Sequence, residues 1–81
     1  MSYEISIESL NNSQLLINML SDTPFFKSRG EVRRCIENKG LYINDVGIVN
    51  INTIFTKSSV SIGYVMNIGK NNHKITIKFT K

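Results

Sequence analysis

Apolar and polar residues alternate at both ends of the chain and fall at helical spacing between them. Tyr3, Ile5 and Ile7 alternate with Glu4, Ser6 and Glu8, which predicts a short half-buried strand. Asn11, Asn12 and Ser13 predict a turn with a helix N-cap. Leu15, Leu16, Met19 and Leu20 then mark an apolar helix face, with Ile17 at its edge. Ser21-Asp22-Thr23-Pro24 ends that helix, because proline lacks an N–H and drives the residue before it out of helical geometry. Phe25 and Phe26 are too apolar for a solvated loop and predict a plug between this helix and the next.

The segment from Lys27 to Asn44, KSRGEVRRCIENKGLYIN, carries a second helix and its exit. Ser28 and Glu31 form an S-x-x-E capping box, in which each side chain can take up an orphan N–H of the first turn. Val32, Cys35 and Ile36 make one apolar stripe. Arg29 and Arg33, four apart, share another face flanked by Lys27 and Arg34. Gly40 is expected to close the helix, and Leu41 and Ile43 to open a strand. A capped helix start beside basic side chains suits phosphate; an amphipathic helix whose arginines face water fits the same residues.

Beyond Asn44, Asp45-Val46-Gly47 predicts a tight turn and Ile48-Val49 a returning strand. Asn50 to Lys57 holds Ile51, Ile54 and Phe55 without a clean period and reads as an irregular crossover with buried anchors. Tyr64, Met66 and Ile68 alternate with Val65 and Asn67; Gly69-Lys70-Asn71-Asn72 predicts a hairpin turn. In the last strand Ile75, Ile77 and Phe79 face one way and Lys74, Thr76 and Lys78 the other. The elements are segregated, which implies an α+β fold: two short helices packed on a small, mostly antiparallel sheet of about four to five strands.

Eighty-one residues make one domain, 1–81, with one modest core. The net charge of +4 and a pI near 9.5 favour a polyanionic partner. A single cysteine excludes an internal disulfide and a cysteine-based zinc site, and fits a reducing cytoplasm. No apolar run reaches membrane-span length, and the acidic start MSYEISIESL lacks the signature of a signal peptide, so no membrane partner is expected.

Catalytic chemistry finds little support. Cys35 and His73 are the sole candidates for a nucleophile–base pair. Cys35 lies on an apolar stripe, and His73 is in phase with Ile75 and Ile77, which predicts a partly covered structural histidine. One histidine and one cysteine make no metal cluster, the carboxylates form no paired motif, and no Walker-type loop or dinucleotide fingerprint occurs. The residues therefore describe a binding module, without metal or cofactor of its own.

A short apolar helix, a loop and then K-S-R-G-E-V-R-R-C-I-E-N-K-G-L-Y-I-N resembles the S-four type RNA-binding domain. Ser28, Arg29, Gly30, Glu31 and Arg33 match its second helix, and Ile43 and Asn44 its strand end. An apolar strand, Gly69-Lys70-Asn71-Asn72 and a second apolar strand look like the C-terminal domain of bacterial tyrosyl-tRNA synthetases. The segment Asn50 to Lys57 resembles that family's Asp-Pro-x-Tyr-type connection more loosely. The resemblance covers residues 12–79.

The resemblance implies a fragment of a larger synthetase, with Met1 inside a longer natural chain, that binds RNA, namely tRNA(Tyr). It also implies as partner the catalytic domain of a homodimeric parent enzyme using ATP. Such a domain sits between the anticodon stem and the long variable arm, reading shape and backbone. The HIGH-like and KMSKS-like aminoacylation motifs are absent, so the chain would be inactive alone. The residues expected to contact RNA are Lys27, Ser28, Arg29, Arg33 and Arg34, with Lys70, Asn72 and Lys74 as a second wall. A free-standing domain of this type on ribosomal RNA, or a protein–protein interaction domain, are the alternatives.

Three departures from the family pattern carry consequences. Val32 replaces an alanine, so the helices must separate or repack. Asp45 stands at a turn glycine, with Gly47 two positions on. Asn67, Ile68 and Asn71 replace basic residues around the hairpin, which implies weaker RNA binding than that of a typical member.

Overall fold

Alternation at the chain's end builds the centre of the sheet. The computed structural model describes residues 1–81. The strands are β1 (Ser2–Ser6), β2 (Ser13–Leu15), β3 (Leu41–Ile43), β4 (Val46–Gly47), β5 (Ile54–Thr56), β6 (Val65–Lys70) and β7 (His73–Thr80); the helices are α1 (Leu16–Ser21) and α2 (Arg29–Glu37). Five strands pair in the order β1-β7-β6-β3-β4, with only β1 and β7 parallel. This is the expected α+β architecture. Leu41, Met66, Ile68, Ile75, Ile77 and Phe79 are buried on the sheet's inner face, together with Leu16, Ile17, Met19 and Leu20 of α1 and Val32, Cys35 and Ile36 of α2.

Several local expectations are corrected. Ser13–Leu15 is a strand, not a cap and first turn: it pairs antiparallel with β5 as a separate two-stranded sheet, Gln14 opposite Phe55. Leu15 occupies the N-cap of α1 without a side-chain hydrogen bond, and the Leu16 N–H donates instead to the Thr53 carbonyl at 2.8 Å. Ile17 is buried rather than marginal. The crossover around Phe55 is therefore ordered by strand pairing. Phe26 is buried, while Phe25 is half-buried and meets the Tyr3 ring edge-on at 6.0 Å.

The turns also differ from expectation. Asn44 and Asp45, with φ of 48° and 68°, form the β3–β4 turn, so Val46 and Gly47 belong to the returning strand. Both residue types tolerate the left-handed region, which removes the need for a glycine there. The β6–β7 loop is likewise two residues, Asn71 and Asn72 at φ 48° and 71°; Gly69 and Lys70 lie within β6. His73 is exposed, not covered.

The exit of α2 is a Schellman motif, with Lys39 N–H donating to the Ile36 carbonyl and Gly40 N–H to the Cys35 carbonyl. The left-handed residue is Lys39, at φ 59°, not Gly40. Gly40 serves a different need. A Cβ there would collide with the Asn71 side chain, and the Gly40 carbonyl accepts the Asn71 N–H at 2.9 Å. Asn71, which costs the hairpin a positive charge, thus sits against the end of α2. Val32 is fully buried, so the helix pair accommodates it by packing.

Candidate nucleic-acid interface

The start of α2 is fixed from both sides. Ser28, extended at φ −163°, accepts the Glu31 N–H on its hydroxyl at 3.2 Å. The Glu31 carboxylate reaches past Ser28 and accepts the Lys27 N–H at 3.3 Å. Both halves of a capping box are present, with the second shifted by one residue. Val32, Cys35 and Ile36 anchor the opposite face in the core, so the exposed side chains of this short helix stand on a rigid base.

Lys27, Ser28, Arg29, Arg33 and Arg34 are all exposed on and just before α2. Arg29 and Arg33 border an open hollow of about 300 Å³ shared with Gly30, Leu15, Ile51 and Asn52. Arg34 folds back along the helix: its Nη1 lies 3.5 Å from where a Cβ on Gly30 would be. The structure thus places five of the eight expected residues on one helix or just before it, Lys27, Ser28 and Arg29 at its start, Arg33 at its middle and Arg34 in its last turn, where Arg34 borders a second hollow with Glu31 and Lys70. With Glu31 engaged elsewhere, the helix start presents N–H groups, the positive end of the helix dipole and guanidinium forks, all of which favour an anion.

The expected second wall divides between two faces. Lys70 points inward, in phase with Met66 and Ile68. Its ammonium pairs with Glu31 Oε1 at 2.9 Å, donates to the Phe25 carbonyl and lies 4.6 Å from the centre of the Phe26 ring. Lys74 pairs with Gly69 and precedes buried Ile75, so it lies on the outer face of the sheet, where it and Asn72 line a separate hollow of about 530 Å³ with Tyr42 and Asn67. The sequence does not announce the partners of Lys70; their one signal is the alternation of β6 carried two residues further.

The Lys70 ammonium hydrogen-bonded to Glu31 holds that carboxyl below the ordinary carboxylate range, against the opposing effect of partial desolvation. A carboxyl whose pKa falls on folding contributes stability above its unfolded pKa and loses it as pH drops through the folded value. The urea midpoint of the chain should therefore fall more steeply as pH drops below about 5 than that of Glu31→Gln. Parallel curves would show that the pair contributes nothing to folding. Burial pushes the Cys35 thiol up, which keeps it neutral and unreactive at neutral pH. No three metal-binding side chains cluster, and no helix is long and apolar enough to cross a membrane.

No protein-family model matches the chain. It is 36% identical over 69 residues to tyrosine--tRNA ligase of Clostridium botulinum (strain Loch Maree / Type A3), a match covering 84% of this chain and 16% of that protein. Tyrosine--tRNA ligase of Mycoplasma mobile is 30% identical over 64 residues, covering 79% of this chain and 15% of that protein. The Mycoplasma genitalium protein of the same name is 39% identical over 51 residues, covering 63% and 13%. Over most of its length, then, the chain is similar to a segment of tyrosine--tRNA ligases, and it spans 16% of the Clostridium botulinum protein that it matches.

Proposed function

We propose that this chain is the S-four type, C-terminal RNA-binding domain of a tyrosyl-tRNA synthetase, and that it holds the backbone of tRNA(Tyr) at the start of α2. The observation that carries the reading is the set of exposed cations along that capped helix, Lys27 and Arg29 at its start, Arg33 at its middle and Arg34 reaching back from its last turn, in a chain similar over 84% of its length to a tyrosine--tRNA ligase. Arg29 and Arg33 take phosphate oxygens, Ser28 keeps the helix N–H groups in place, and Lys27 and Arg34 widen the footprint. Contacts of this kind position the RNA without reading its sequence. Asn72 and Lys74, on the outer face of the sheet, are a separate contact surface for the same RNA. In this reading the chain is inactive alone. ATP and tyrosine belong to a catalytic domain elsewhere in a homodimeric cytoplasmic enzyme.

An amide-shift titration of the 81-residue chain tests the reading. A tRNA with a long variable arm should move a contiguous set of signals from Ser28 to Arg34, at lower concentration than a tRNA with a short arm. Equal responses to both would turn the reading towards a general RNA binder. Shifts confined to other surfaces, or none, would remove it.

A further inference from the structure

Two negative charges compete for one positive site at the start of α2. Glu31 belongs to the first turn, where a carboxylate is favoured by the helix dipole and by free N–H groups. An incoming phosphate would be drawn to the same end, and an unneutralised carboxylate between Arg29 and Arg33 in sequence would repel it. The charge that resolves this conflict comes from across the fold: Lys70, 39 positions along the chain, reaches Glu31 Oε1 at 2.9 Å.

The surroundings of Lys70 are unlike those of a phosphate-seeking side chain. An ammonium has three donors. Here one goes to Glu31, one to the Phe25 carbonyl, and the cation packs against the Phe26 ring. Its side chain is 23% exposed, whereas Arg29, Arg33 and Arg34 lie open to solvent. The Glu31 oxygen that it holds is the one that also accepts the Lys27 N–H, so one ion pair ties the hairpin to the loop entering α2.

We infer that Lys70 is a positioning residue: it cancels the charge of Glu31 and holds that carboxylate against the hairpin, leaving the start of α2 open to RNA phosphate without touching the RNA itself. The inference rests on the reading of α2 as the RNA face. It assigns to the hairpin lysine a role in preparing the site, and leaves contact to the arginines.

A double-mutant cycle separates this role from direct contact. The full 81-residue chain, Lys70→Met, Glu31→Gln and the double variant are titrated with a fluorescently labelled tRNA carrying a long variable arm, and folding is checked by circular dichroism in the same samples. Glutamine at position 31 keeps a capping oxygen for the Lys27 N–H and removes the charge. Lys70→Met should weaken binding roughly three- to tenfold in the native background, the effect of one bare charge at close range across a partly aqueous boundary. In the Glu31→Gln background the same change should cost less than about twofold, since no charged carboxylate is then released from the hairpin to swing towards the phosphate.

Equal losses in both backgrounds would mean that Lys70 acts on the RNA directly, by contact or by its own charge, and would overturn the inference. No loss in either would make the pair purely structural, which overturns it as well. If the native chain itself fails to bind tRNA, the reading of α2 falls first, and the inference with it. Lys70→Gln, which keeps a donor for the Phe25 carbonyl, replaces Lys70→Met should that variant not fold.

Discussion

Replacing Arg29 and Arg33 together by alanine should weaken tRNA binding by about 1.5–3 kcal/mol for each guanidinium–phosphate interaction removed, or roughly a hundred- to ten-thousandfold if both contribute independently. Both side chains are exposed, flank the same hollow and take part in no internal ion pair, so their removal should leave folding intact. Folding should even improve slightly. Arg29, in the first turn, opposes the helix dipole, and alanine is the best helix former at both positions, so the double variant should unfold at or above the temperature of the native chain. Filter binding or fluorescence anisotropy at moderate salt measures the weakening. Lys81→Ala, which removes one exposed charge beyond the end of β7, is the control. A comparable effect in that control would mean that net charge alone drives association. Unchanged affinity in the double variant would remove α2 as the binding face.

The helix that carries these arginines was legible because its signals are local. Ser28, Glu31 and the stripe Val32, Cys35, Ile36 specify a start, a face and a direction within nine positions, and the structure uses all of them. The alternation of Ile75, Ile77 and Phe79 was legible for the same reason: period two puts each on the core side. Lys70 shows where local reading stops. Counted as part of a four-residue turn it loses its phase; counted as the last residue of β6 it follows Met66 and Ile68 inward, opposite to Lys74. The two lysines therefore could not form one wall, and the deciding detail was that Asn71 and Asn72 make the turn without a glycine. The β2–β5 pair was hidden for another reason. Each strand is three residues long, and Leu15 fits a helical apolar face as well as a strand, so only the pairing of segments about forty residues apart resolves it.

The site depends on that long-range packing, and Phe79 is where the two sheets join. Phe79 is fully buried at the end of β7, opposite Ile5 of β1. Its ring stacks on Phe55 of β5 at 6.0 Å between centroids, with planes 17° apart, and meets Tyr64 at 6.2 Å. Its backbone is bonded on both sides, N–H to the Tyr64 carbonyl at 2.9 Å and carbonyl to the Gly63 N–H at 2.7 Å. Phe79→Ala keeps those backbone bonds and deletes the ring, leaving a cavity between the sheets. A buried phenylalanine truncated in this way costs about 3–5 kcal/mol. A domain of this size holds only about 4–12 kcal/mol in total. The variant should therefore lose about 12–40 °C of thermal midpoint, or fail to fold at room temperature. Ile54→Ala, on the same strand as Phe55 but 56% exposed, should shift stability by no more than about 0.5 kcal/mol. Urea denaturation followed by circular dichroism distinguishes the two. A cost near that of the control would mean that the small sheet docks through other residues. The consequence for the site follows from connectivity: β5 pairs with β2, β2 runs directly into α1, and α1 packs against α2. Loosening Phe79 should release that chain of supports, so tRNA binding should decline in proportion to unfolding, whereas Arg29→Ala with Arg33→Ala should weaken binding in a chain that remains folded.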